Sequence, residues 1–153
     1  MYLTSSAVEN GVIDDKYGKR GTDFKGSMPI YSMPFDIHDA PHGTVAFAFV
    51  LDDPDSVPVA GFTWVHWLGA DLRETTVPED ASRHASFIQG RNSWGENLYG
   101  GMAPPNAPHV YQLHVYALDT LLNLKEGFTL NELKTAMNGH IMDQAVLKGR
   151  YDN

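Results

Sequence analysis

The sequence predicts a mainly β fold, with a sheet core and a few short peripheral helices, on three observations. Three segments, Thr44–Leu51, Gly61–Leu68 and His109–Leu118, carry the apolar, β-branched and aromatic residues of strands. Fourteen glycines and nine prolines punctuate the stretches around them. A clear helix start appears once, close to the C-terminus. Strands in the middle and a helix near the end define a sheet-centred class.

Residues 1–44 are rich in Gly, Asp and Pro, with short apolar pieces such as Gly11-Val12-Ile13, and read as loops and short strands wrapped on a core. Met28 to Phe35 alternates like a strand but is interrupted by Pro29 and Pro34, which predicts an edge. Thr44 to Leu51 is almost continuously apolar, which predicts burial on both faces. Pro54 and Pro58 then end the strand and force a loop. Gly61 to Leu68 is the second strand. Residues 70–108 show almost no periodicity and contain Gly90, Gly95, Gly100, Gly101 and four prolines, so they read as one long loop region. Trp94 and Tyr99 argue that this region is ordered. His109 to Leu118 is the third strand. Thr129 is a good N-cap, Glu132 completes a capping box, and Phe128 and Leu133 occupy the two positions of a hydrophobic staple. Leu130, Leu133, Met137, Ile141 and Ala145 follow with helical spacing, and Asn138-Gly139 predicts a kink or split within that helix.

The 153 residues predict one domain spanning 1–153, long enough to bury a core. A net charge of −8 without any basic run lacks the electrostatic footprint of a nucleic-acid binder. No window approaches the roughly 18 apolar residues of a membrane span. The absence of cysteine removes disulfides, thiolate catalysis and thiolate metal sites. Met1-Tyr2-Leu3-Thr4-Ser5 has neither a basic region nor an apolar core like that of a signal peptide, so the expected compartment is the cytoplasm. No cofactor motif is read. His38 and His42, four apart near Asp36 and Asp39, read as a solvated loop rather than a metal site, because Pro41 argues against the helix that would align them.

Chemistry concentrates in three places. A strand repeats every two residues, so Trp64 and His66 share one face, as do His109 and Tyr111. With the carboxylates of Asp52-Asp53-Pro54-Asp55 close by, two imidazoles, a phenol and an indole can line one small cavity. That set suits a small anion or zwitterion. Histidines and a phenol donate to anionic oxygens, and Gly100-Gly101 would let backbone N–H groups approach. Asp53 repels an anion, so it either orients a histidine or holds an ammonium group, with Trp64 adding a cation–π contact of roughly 0.5–2 kcal/mol. His114 lies on the face opposite His109, and Trp67 and Trp94 read as packing.

These residues resemble the phosphatidylethanolamine-binding proteins (PEBP), in particular their bacterial Raf-kinase-inhibitor-like branch. The resemblance is carried by Asp53-Pro54-Asp55 with Pro58, Trp64-Val65-His66-Trp67, Tyr99-Gly100-Gly101 with Pro104-Pro105, and His109-Val110-Tyr111 leading into Tyr116-Ala117-Leu118-Asp119. Ala136-Met137-Asn138-Gly139-His140, Gly149-Arg150-Tyr151 and Leu3-Thr4-Ser5 extend it over nearly the whole chain. One extra residue before Pro58, and Pro108 and Val110 beside His109, depart from the family pattern. The resemblance implies a β-sandwich with Greek-key topology and a pocket for anions and phosphate-like head groups. The ligand-binding residues it implies are Asp53, Asp55, Pro58, Trp64, His66, Gly101, Pro104, Pro105, His109 and Tyr111. It implies a binding protein, with a regulatory role, rather than an enzyme. The ligand would be a small phosphate- or carboxylate-bearing molecule or a phospholipid head group. A hydrolase using a His/Asp pair on a small phosphate or carboxylate ester is the alternative. It lacks a Gly-x-Ser-x-Gly elbow, since Ser93 sits in Asn92-Ser93-Trp94-Gly95. Exposed parts of the 90–108 region are the candidate contact for a homodimer.

Overall fold

Alternation within Ala46–Asp53 sets the architecture. Phe47, Phe49 and Leu51 join one buried cluster, while Ala48 and Val50 join another on the opposite face. A strand with apolar residues on both faces must be covered on both, which is the double burial its composition predicts.

The computed structural model describes residues 1–153. Twelve strands occur in chain order: β1 (Tyr2–Thr4), β2 (Val8–Glu9), β3 (Val12–Ile13), β4 (Phe24–Lys25), β5 (Met28–Pro29), β6 (Phe35–His38), β7 (Ala46–Asp53), β8 (Trp64–Leu72), β9 (Thr76–Val77), β10 (Ile88–Gln89), β11 (His109–Leu118) and β12 (Ile141–Tyr151). The helices are α1 (Val57–Ala60) and α2 (Leu130–Met137). The main sheet has seven strands in the order β10-β8-β7-β11-β12-β3-β2. A three-stranded sheet, β1-β6-β9, contributes Leu3, Phe35, Ile37 and Val77 to the larger cluster, which therefore lies between the two sheets. On the outer face α2 lays Leu133 and Met137, with Phe128, against Ala48, Val50, Leu68 and Ala70. The Thr129 capping box is present in full, satisfying orphan N–H groups at the start of α2.

Three expectations need correction. The helix does not reach Ile141 or Ala145. It ends at Met137, Asn138 leaves helical geometry, Gly139 turns with φ +82°, and Ile141–Tyr151 is a strand. The i, i+4 spacing of Met137, Ile141 and Ala145 is coincidental. Ala145 pairs with Val115 and Leu147 with Leu113 across β11, so the segment's long-range partners override its local pattern. The edge strand over Met28–Phe35 is split, because only Met28–Pro29 and Phe35–His38 pair with neighbours. Strand β8 starts at Trp64 rather than Gly61 and runs past Leu68 to Leu72, into the 70–108 region, which also holds two two-residue strands and a short 3-10 turn at Ala81–His84 within otherwise ordered loop.

The antiparallel pairing of β7 with β8 and β11 brings the C-terminal end of β7 beside the N-terminal ends of the other two. Asp53 lies opposite Trp64, and Asp52 opposite Gln112. Register between β7 and β8 passes from Asp52↔Val65 to Leu51↔Trp67, so β8 carries one extra residue, His66. Such a bulge re-aims side chains. His66 and Trp67, although consecutive, are both buried, Trp67 against Phe49 and His66 against Tyr111.

Candidate functional site

A cavity of about 360 Å³ opens where these three strand ends meet. Its walls include Asp53 from β7, Trp64 and His66 from β8, and His109 and Tyr111 from β11. Pro104 and Pro105 close one side. Asp55, Pro58 and Gly101 are not among the wall residues.

The Asp53-Pro54-Asp55-Ser56 segment builds its corner from side chains. Asp53 caps the 3-10 turn Pro54–Ser56, its Oδ1 accepting from the Asp55 amide at 3.0 Å. Pro54 suits the first position of the turn because its missing N–H needs no partner there. The Ser56 hydroxyl lies 2.8 and 2.6 Å from the carbonyls of Asp53 and Phe62 and accepts from the Trp64 amide at 2.9 Å, which ties the loop to the start of β8. Asp55 turns away, and its Oδ2 accepts from the Val110 amide at 2.8 Å. The two aspartates thus divide the work: one faces the cavity, the other pins β11 in place.

His66 is fixed by a single neighbour. Its Nδ1 is 2.7 Å from the carbonyl of Gly100, and a carbonyl only accepts, so Nδ1 carries the hydrogen. The Gly100 amide donates back to the His66 carbonyl at 2.8 Å. Burial pushes the His66 pKa down to about 4, against smaller raising effects of the Gly100 and Gly101 carbonyls and Asp52. The ring is neutral at physiological pH, with its Nε2 lone pair uncommitted. Neither glycine amide is free for an anion, because the Gly101 N–H donates to the Pro29 carbonyl at 2.8 Å. Gly101 instead serves packing, since a Cβ there would stand 2.3 Å from the Tyr17 carbonyl oxygen.

His109 is held at both ring nitrogens. Nδ1 donates to Asp53 Oδ2 at 2.6 Å, and Nε2 meets the Asn106 side-chain oxygen at 2.8 Å. Asp53 is therefore an orienter of His109, the first of the two roles its position allows. Burial raises the Asp53 pKa, opposed by its hydrogen bond to His109. The Tyr111 phenol is pushed well up, first by burial and then by the Asp53 charge, so it keeps its hydrogen. The His66 and Tyr111 rings meet edge to face with centroids 5.1 Å apart.

The sequence reads Trp94 as packing alone and does not single out Asn106, yet both belong to the site. Trp94 lines the cavity and packs edge-on against both His66 and Trp64, at 5.3 and 5.2 Å between centroids. A lone tryptophan in an aperiodic stretch carries no signal for this. Asn106, directly after Pro105, reaches His109 across a loop whose geometry no pattern encodes. Trp67 is wholly buried among Phe35, Phe49 and Tyr99, as its packing role predicts. His114 faces the outer side of the sheet, 3.3 Å from Asp52 Oδ1.

Comparison with known proteins gives one answer. The family described as phosphatidylethanolamine-binding protein matches residues 4–152. An uncharacterised Bacillus subtilis protein, YxkA, is 37% identical over 150 residues, covering 88% of this chain and 86% of its own. A UPF0098 protein of Chlamydia trachomatis is 34% identical over 155 residues and 99% of both chains. Among solved structures, the C. trachomatis protein CT736, described as a PEBP homologue, superimposes with a TM-score of 0.86 at 32% identity, covering 99% of this chain and 97% of its own. Escherichia coli YbcL, described as a new member of the mammalian PEBP family, gives 0.84 at 25% identity, with 99% and 98% covered.

Proposed function

The chain belongs to the phosphatidylethanolamine-binding protein family, and on that premise we propose that it is a binding protein whose cavity holds a small phosphate- or carboxylate-bearing group, free or as the head group of a phospholipid. The observation that carries this reading is the convergence of His66, the Asp53–His109 pair and Tyr111 from three adjacent strands on one cavity. Cavities of about this volume with a few convergent polar groups are ordinary small-molecule sites. Trp64 and Trp94 supply apolar walls that exclude water and strengthen each polar contact.

The test is a histidine-resolved NMR titration with phosphate, acetate and phosphoethanolamine, repeated on His66→Ala. Signals of His66 and His109 that shift together, saturate, and stop responding in the variant support the reading. Silence toward all three ligands sinks it. Parallel addition of phosphatidylethanolamine vesicles separates an intact lipid from its free head group. Turnover of a small phosphate ester, lost in His66→Ala, would favour hydrolysis instead.

A further inference from the structure

Strand β12 is the longest in the fold, and most of its length is paired on one side only. Ten of its residues pair with β11, whereas β3 joins its other side only at Arg150↔Val12. Three hydrogen bonds show which groups face the open side. The Arg150 amide donates to the Gly11 carbonyl at 2.8 Å, away from β11. Val110, opposite Arg150, gives its own amide to Asp55 and not to β12. The Gln144 amide donates to Asp143 Oδ1 at 2.8 Å. Backbone groups alternate sides along an antiparallel strand, and the register runs unbroken from Asp143 to Tyr151. Gln144, Val146, Lys148 and Arg150 therefore turn theirs outward. The Gln144 carbonyl and both groups of Val146 and Lys148 have no partner in the chain.

Burial follows the same division. Gly149 and Tyr151 are buried where β3 continues the sheet, whereas Asp143, Ala145 and Leu147, on the same face, are only half-buried. Val146, on the outer face, is 46% exposed. The sheet's outermost strands, β2 and β10, are two residues each, so the long open edge of the main sheet lies on β12. No proline guards it, and the one inward charge, Asp143, blocks only the Gln144 amide.

This open stretch is its own complement. It is bounded where Asp143 takes the Gln144 amide and where Gly11 takes Arg150, which leaves Val146 at its centre. We propose that Gln144–Lys148 pairs antiparallel with the same stretch of a second copy of this chain, about a two-fold axis at Val146, joining two seven-stranded sheets into one. In such a two-fold contact each residue meets its mirror position. Val146 exchanges both its hydrogen bonds with Val146 of the other copy, and each Lys148 amide donates to the Gln144 carbonyl opposite. On the inner face, Ala145 of each copy falls opposite Leu147 of the other and extends the larger buried cluster, against which both residues already pack. Centring the pair on Lys148 instead would set two ammonium groups face to face, which is unfavourable, and would run Val146 against the Arg150 edge that Gly11 already occupies.

A single thiol tests the register, because the chain contains no cysteine. Residues that exchange both bonds across an antiparallel pair have Cα atoms about 5.5 Å apart. A short bifunctional thiol reagent should therefore link two copies of Val146→Cys and leave Lys134→Cys, on the exposed face of α2, unlinked. Sedimentation of the unaltered protein up to roughly 1 mM should show a mass that rises with concentration. The rise should be steeper in high salt, because two copies of net charge −8 repel and salt screens them. Val146→Pro removes the outward amide, a change an edge strand tolerates, and should sediment as a monomer with an unchanged circular dichroism spectrum. Val146→Lys, which sets two ammonium groups at the axis, should give the same loss and serves if proline disturbs the strand. A monomer at every concentration overturns the proposal. Association that survives both substitutions, or that leaves Val146→Cys unlinked, also overturns it, because the contact would then lie on another surface such as the 90–108 loops.

Discussion

His66 and Gly100 exchange two hydrogen bonds, one from the Gly100 amide to the His66 carbonyl at 2.8 Å and one from His66 Nδ1 to the Gly100 carbonyl at 2.7 Å. The main-chain bond fixes where the residue sits, and the side-chain bond fixes which nitrogen holds the hydrogen. Trp94 packs against the same glycine so closely that a Cβ would lie 2.4 Å from its ring. Gly100→Ala should therefore force Trp94 out of the cavity wall and cost about 1–3 kcal/mol, the range for overpacking. Denaturant unfolding measures the loss, and Trp fluorescence reports the displaced indole. An unchanged midpoint would show that the wall is not packed as described.

Acid should weaken the fold through His66. The unfolded ring takes up a proton near pH 6.5 and the folded ring near about 4, so the unfolded chain binds more protons between these values. Stability should fall as pH drops through that window, by up to about 3 kcal/mol if this group acts alone. Asp53 works in the opposite sense, because its raised pKa favours the folded state at acid pH and that contribution is lost as pH rises. Denaturant midpoints measured from pH 7 to 4 should decline in the native protein and decline less in His66→Asn. Parallel curves would remove His66 as the cause.

The Asp53–His109 bond is short and buried. Asp53→Asn keeps an oxygen for the turn-capping bond to the Asp55 amide but weakens the contact with His109. A loss of about 1–3 kcal/mol is expected from the unsatisfied buried partner. A double-mutant cycle with His109→Gln should return a coupling of about 0.5–3 kcal/mol, and a coupling of zero would mean the two side chains do not act as a unit.

Asn106 occupies the nitrogen of His109 that a ligand would need. Removing it with Asn106→Ala should raise the affinity for phosphate by about fivefold, the equivalent of one displaced hydrogen bond of about 1 kcal/mol. Asn106 is exposed and its loop is anchored by the neighbouring prolines, so the fold should be unaffected. Weaker binding in this variant would instead make Asn106 part of the recognition surface.

Helix α2 depends on its cap. Thr129 Oγ1 accepts from the Glu132 amide at 3.1 Å, and the Glu132 carboxylate accepts from the Thr129 amide at 3.2 Å. Thr129→Ala should cost about 1 kcal/mol, seen as a shift of roughly 2–4 °C in Tm for a chain of this size. The cavity lies on the far side of the sheet, so phosphate affinity should not change.

Local patterns were sufficient to locate β7, β8 and β11 and the helix start. The apolar run of β7, the span His109–Leu118 and the Thr129 capping box are each written in neighbouring residues, and each forms as written. The same period-two logic placed Trp64 with His66 and His109 with Tyr111 on shared faces, and all four reach the same cavity. Long-range pairing decided the rest. Met137, Ile141 and Ala145 have a helical spacing, but ten of the eleven residues of β12 pair along β11, and that outweighs a weak local preference. The bulge at His66 comes from a register shift against β7, which no residue of β8 announces. Which aspartate faces the cavity, which nitrogen of His66 is free, and that Trp94 belongs to the site all depend on contacts between segments more than 25 residues apart in sequence, whereas Asn106 meets His109 only three residues away, through the local shape of a loop. Periodicity reports which side of a strand a residue lies on, whereas the partner it meets there is set by how the chain closes on itself.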